Sequence, residues 1–152
     1  MVNHALECHN CRSFLDFGDV TSYVPRIFFP FSGAGSMHGL AEAVRGLAAR
    51  EGVIAAVVVS PDGLPVHHAG PATDAEALAA LAATLLRPAV RLGESASAGA
   101  LSRVVFEFDR RLAVLAAVRG DNWLLLLTDP DADLGTLLYD LRRDSPALAA
   151  LL

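Results

Sequence analysis

Val53-Ile54-Ala55-Ala56-Val57-Val58-Val59-Ser60-Pro61-Asp62-Gly63-Leu64-Pro65-Val66 is the stretch that decides the fold. Its first eight residues form a short β-branched run. Pro61-Asp62-Gly63 interrupts that run, and a second extended piece, Leu64 to Ala69, follows. Asp-Gly between two such runs signals a hairpin, because glycine supplies the positive φ that a tight turn demands. Upstream, Leu40, Val44 and Leu47 recur at i, i+4 and i+7. That spacing predicts a helix of about twelve residues that stops at Gly52.

Downstream, Thr73-Asp74-Ala75-Glu76 reads as a capping box, with the Thr73 oxygen serving an orphan amide and Glu76 reaching back. The helix it opens runs to about Leu92. Leu78, Leu81, Leu85 and Leu92 share one stripe, and the other sides are largely alanine. A helix apolar on most sides is expected to be covered on most sides. Pro88 lies inside it and is expected to bend it. Three strands follow, Leu101–Phe108, Leu112–Arg119 and Trp123–Thr128, with a turn at Gly120-Asp121-Asn122. The first alternates, placing Val104, Phe106 and Phe108 on one face and Arg103, Val105 and Glu107 on the other. The next two are apolar on both faces, as expected of central strands covered above and below. A last helix begins near Asp133 with Leu134, Leu137, Leu138 and Leu141 in register, and Ser145-Pro146 reads as the start of a separate short turn. The order is α-β-β-α-β-β-β-α.

Composition narrows the function. The 152 residues are 53% hydrophobic and 19% charged, an apolar excess that points to a buried surface in an oligomer. A net charge of −5 argues against nucleic acid as a partner, since phosphate binding wants clustered cations. Every cation is an arginine, and the abundance of alanine and leucine points to a GC-rich, bacterial genome. No apolar run approaches the roughly 20 residues of a membrane span. The N-terminus lacks the cationic-then-apolar pattern of a secretory signal, so the expected location is cytoplasmic.

Composition breaks near residue 36. Residues 1–36 hold both cysteines, five of seven phenylalanines and only two alanines, and Pro25, Pro30 and Ser32-Gly33-Ala34-Gly35-Ser36 mark a linker. The reading divides the chain into an extension, 1–36, and a domain, 37–152. The extension stays open between a mobile arm, a folded addition and translated sequence ahead of a start at Met37. Cys8-His9-Asn10-Cys11, with His4 nearby, is half a zinc site, because structural zinc wants four ligands, usually in two pairs. Two ordinary thiols are the plainer reading, and no cofactor is expected. His67 and His68 are adjacent on a strand and point to opposite faces, so they cannot share a metal. No nucleophile, base and orienter converge in the sequence, no G-x-S-x-G elbow occurs, and no glycine loop cradles phosphate. The expectation is a protein that is not an enzyme.

The element order, together with the run at 53–66, resembles the roadblock/LC7 family. The family pattern places an apolar strand before a Ser-x-Asp-Gly hairpin, and Ser60, Asp62 and Gly63 occupy those places. The strands at 112–118 and 123–127, the turn at Gly120 and the closing Leu134-Gly135 helix also match, so the resemblance covers about 37–152. It implies a five-stranded antiparallel sheet with the second helix on one face and the first and last on the other. It also implies a homodimer formed through the third strand and second helix, and bacterial members similar to the gliding-motility regulator act on Ras-like small GTPases. On this reading the dimer interface includes Leu101, Arg103, Val105 and Glu107. The GTPase would meet the paired second helices around Leu85, Leu86, Arg87, Val90 and Arg91. Arg87 and Arg91 are four apart, a spacing that suits acidic or phosphate groups, although a solvated helix face explains them as well. A scaffold or adaptor without effect on hydrolysis, and a small-ligand sensor, are the rival functions.

Overall fold

A computed structural model describes residues 37–71 and 74–152. The Cys8/Cys11 pair, His4 and Thr73 lie outside the described residues. The elements are α1 (Met37–Ala48), β1 (Val53–Val59), β2 (Pro65–Ala69), α2 (Ala75–Ser95), β3 (Arg103–Phe108), β4 (Arg111–Ala117), β5 (Trp123–Thr128) and α3 (Leu134–Ala149). The five strands form one antiparallel sheet in the order β2-β1-β5-β4-β3.

The sheet separates two cores, and the alternation of each strand decides which residues enter which. On one face Ala56, Val58, Val114, Ala116, Leu124 and Leu126 meet Leu40, Val44 and Leu47 of α1 and Leu137, Leu141 and Leu148 of α3. On the other Val57, Val59, Ala113, Leu115 and Leu125 meet α2. β1, β4 and β5 are buried on both faces, as their unbroken apolar runs predict.

The turns obey their chemistry. In the first hairpin the Gly63 amide donates to Ser60 O at 3.0 Å, Ser60 N donates to Leu64 O at 2.9 Å, and the Leu64 amide also reaches Ser60 Oγ at 3.1 Å. Gly63 sits at φ +80°, and a Cβ there would lie 3.1 Å from Ala83 Cβ on α2. Ser60 and Gly63 are therefore fixed by the turn and by its seat against the helix. In the β4–β5 turn Gly120 and Asp121 both take positive φ, and the Asn122 side chain donates to Arg119 O at 2.9 Å.

Arg50, just past α1, binds Asp140 at 3.4 Å and Asp144 at 2.8 Å on α3, and so ties together the two helices of one face. Burial pushes the Asp144 carboxyl up, but hydrogen bonds from Arg143 and Arg50 outweigh it and hold the group below its ordinary value of 3.8. A depressed carboxylate stabilises the fold above that ordinary value, and the contribution fades as pH falls through the lower folded-state value.

Three expectations are corrected. The cap of α2 is Asp74, whose side chain accepts from Ala77 N at 3.0 Å, one residue later than the Thr73 box predicts. Pro146 starts no new turn. It lies inside a continuous α3, because Leu148 sits on the same inward stripe as Leu137 and Leu141 and its burial holds the last turn in line. The strand expected from Leu101 begins at Arg103, and Leu101 packs half-buried against the α2-side core.

Candidate functional site

α2 is the unusual element. Its sheet-facing side is Ala75, Ala79, Ala82 and Leu86, all buried. Small side chains let the helix approach the sheet closely, and Gly63 of the hairpin closes against Ala80 and Ala83 from one side. The leucine stripe does not face the sheet. Leu81 is 61%, Leu85 45% and Leu92 71% exposed, while Leu78 alone in that stripe packs at the edge of the core. At about 100° per residue these leucines lie on one flank and the outer surface of the helix, away from the alanines. After Leu86 no residue of α2 is buried, so the turns beyond Pro88 carry Val90 and Leu92 into solvent.

The sequence-derived partner site therefore divides. Leu86 is a core residue at 7% exposure and is withdrawn from any surface contact. Leu85 and Val90 are exposed. Arg87 is two residues from Leu85, hence about 160° around the helix, on the flank that faces the hairpin. There it lines a shallow cleft with Pro61, Asp62, Ala80, Ala83 and Thr84. Arg91 lies one turn further along. Neither arginine makes an ion pair among the described residues. The Thr84 hydroxyl donates to Ala80 O at 2.9 Å, a local bond typical of a helical threonine.

β3 is the outer strand on one side of the sheet. Arg103, Val105 and Glu107 stand opposite Ala116, Val114 and Leu112 of β4 and share one face, while Val104 and Phe106 stand opposite Leu115 and Ala113 on the α2 side. Val105 is 40% and Phe108 58% exposed, and the Phe106 and Phe108 rings stack with centroids 6.4 Å apart. Leu101 precedes this strand and is not part of its edge.

The histidines fall as the alternation requires. His67 stands opposite Val58 on the α1/α3 face, and His68 opposite Val57 on the α2 face. No group of three or more metal-ligating side chains is present among the described residues. No helix among them is long and apolar enough to cross a membrane. The tie from Arg50 to α3 escaped the sequence reading, because a link across ninety or more positions leaves no local spacing.

A family model described as the Roadblock/LC7 domain matches residues 40–128. No curated protein sequence gives a significant match. Among solved structures, a Roadblock/LC7 domain from Streptomyces avermitilis is 27% identical over 71% of this chain and 92% of its own, with a TM-score of 0.66. MglB of Myxococcus xanthus is 16% identical over 75% and 94%, with a TM-score of 0.69. The gliding protein mglB from Thermus thermophilus is 20% identical over 78% and 91%, also at 0.69. That family model covers more than half of the sequence, and the chain belongs to the Roadblock/LC7 domain family.

Proposed function

We propose that the protein is a cytoplasmic, non-catalytic homodimer that binds a Ras-like small GTPase and regulates its nucleotide cycle. The working domain is residues 37–152, and the role of residues 1–36 is unassigned. The observation that carries the reading is the leucine flank: Leu81, Leu85 and Leu92 stay in water on a helix whose sheet-facing side is alanine except at Leu86. Family membership supplies the regulatory class. In the homodimer the β3 edges pair through Arg103, Val105 and Glu107, and the α2 helices meet along Leu78 and Leu85. Leu81, Leu92 and Arg91 then form the upper surface offered to the GTPase, with Arg87 at its rim, while Val90 lies half a turn from Leu81 and off that surface.

Two measurements test this. Light scattering of the protein alone is expected to give twice the chain mass, and a monomer at high micromolar concentration overturns the dimer. GTP hydrolysis and nucleotide release by the Ras-like GTPase of the same genome are then followed with and without the protein. A change in either rate supports regulation. Binding with both rates unchanged makes the protein an adaptor, and absence of binding removes the GTPase from the reading.

A further inference from the structure

The two outer strands of the sheet are built differently. β3 pairs with β4 in unbroken register from Arg103↔Ala116 to Phe108↔Arg111 and contains no proline. β2 has only five residues and opens on Pro65, which has no N–H to offer a neighbour. Val58 pairs with His67 and Val59 with Pro65, so Val66 is an extra residue that bulges the edge. Gly70 follows the strand's last residue, Ala69, at φ +128°, where a Cβ would meet Ile54 O at 2.6 Å and Ala55 Cα at 2.8 Å. The backbone there is pressed onto β1, and Pro71 follows at once. Short length, a flanking proline and a bulge are the means by which an outer strand is kept from recruiting another chain. They stand where they are needed, because Leu64 is 64% and Val66 41% exposed beside this edge.

We propose that β2 is a sealed edge that ends assembly at the dimer. This rests on the reading that β3 is the pairing edge. Joining two sheets through β3 leaves a β2 at each end, and a second pairing there would convert a closed dimer into an open filament. Pro65, the bulge at Val66 and the bend at Gly70 prevent it.

The test restores the ladder in the full chain. Pro65→Thr returns an N–H, and His68→Val makes the α2-side surface of the strand apolar. The double variant is expected to gain concentration-dependent mass in light scattering, about twofold or more above the parent, and added Val66→Lys is expected to return it to the parent's size. A folded double variant that matches the parent at every concentration overturns the proposal. So does growth that Val66→Lys leaves untouched, since it would run through another surface. If the double variant loses its native circular dichroism, Pro65→Thr alone is read in the same way with the same two outcomes. A monomeric parent defeats the homodimer reading, whereas growth of the variant relative to that monomer still shows the seal.

Discussion

α1 and α2 cover opposite faces of one sheet and spend their large side chains in opposite ways. α1 turns Leu40, Val44 and Leu47 inward, where none exceeds 4% exposure. α2 turns Ala75, Ala79 and Ala82 inward and leaves Leu81, Leu85 and Leu92 in water. A leucine left out of a core forgoes about 1.5–3 kcal/mol of burial. A monomer gains nothing from placing three of them outside while alanines hold the contact. The comparison separates a helix whose leucines are buried within the chain from one whose leucines the chain leaves in water.

The largest expected effect comes from the buried leucines. Leu47→Ala removes a side chain enclosed by the α1/α3 core and is expected to cost about 2–5 kcal/mol in denaturant unfolding. The same truncation at Leu81 is expected to leave the unfolding of the isolated protomer nearly unchanged. Equal losses at both positions would erase the distinction between the helices.

Next comes the alanine contact. Ala79 is fully buried against the sheet, so Ala79→Leu has nowhere to put three extra carbons and is expected to destabilise by about 1–3 kcal/mol. Thermal unfolding checks it. A neutral result would mean that α2 stands off the sheet far enough to accept leucine, and the close-approach argument would fail. Leu85→Ala follows at about 1–2 kcal/mol, taken from dimer dissociation rather than from folding. Sedimentation of the variant at falling concentration separates the two.

How much of this was legible in the sequence follows from range. The hairpin at 60–64, the α3 cap at Asp133 and the buried central strands depend on residues within a few positions, and each stands where the pattern predicts. The α3 cap is closed by the Thr136 hydroxyl and amide, which hold the Asp133 carboxyl below its usual range. The orientation of α2 was not legible. Its alanine and leucine stripes both satisfy a helical period, and period alone does not say which one the sheet selects. That choice depends on the room left by Val57, Leu115 and Leu125, residues of three different strands. The loss of Leu86 from the predicted partner site has the same origin. The split between Leu85 and Arg87 needed only the helical angle, which a flat list of neighbouring residues conceals.

The smallest expected effect tests the register of the open edge. If two β3 strands pair antiparallel about Val105, residue numbers across the junction sum to a constant, and Arg103 of each protomer faces Glu107 of its partner. Both residues lie on the α1/α3 face of the sheet, and neither has an ion-pair partner among the described residues. Each cross-strand pair of opposite charge is worth about 0.2–1 kcal/mol, and the two-fold axis supplies it twice. Arg103→Glu places two carboxylates opposite each other at both ends of the junction, so the dimer dissociation constant is expected to rise by about two- to thirtyfold. The double variant Arg103→Glu/Glu107→Arg restores opposite charges in the same register and is expected to recover most of that loss. Raising the salt concentration should shrink the difference between single and double variants, because pairs at a strand edge are screened. A double variant as weak as the single one would place a residue other than Val105 on the axis. Charge reversal without any effect would move the contact off β3 altogether, leaving the leucine flank of α2 to hold the dimer alone.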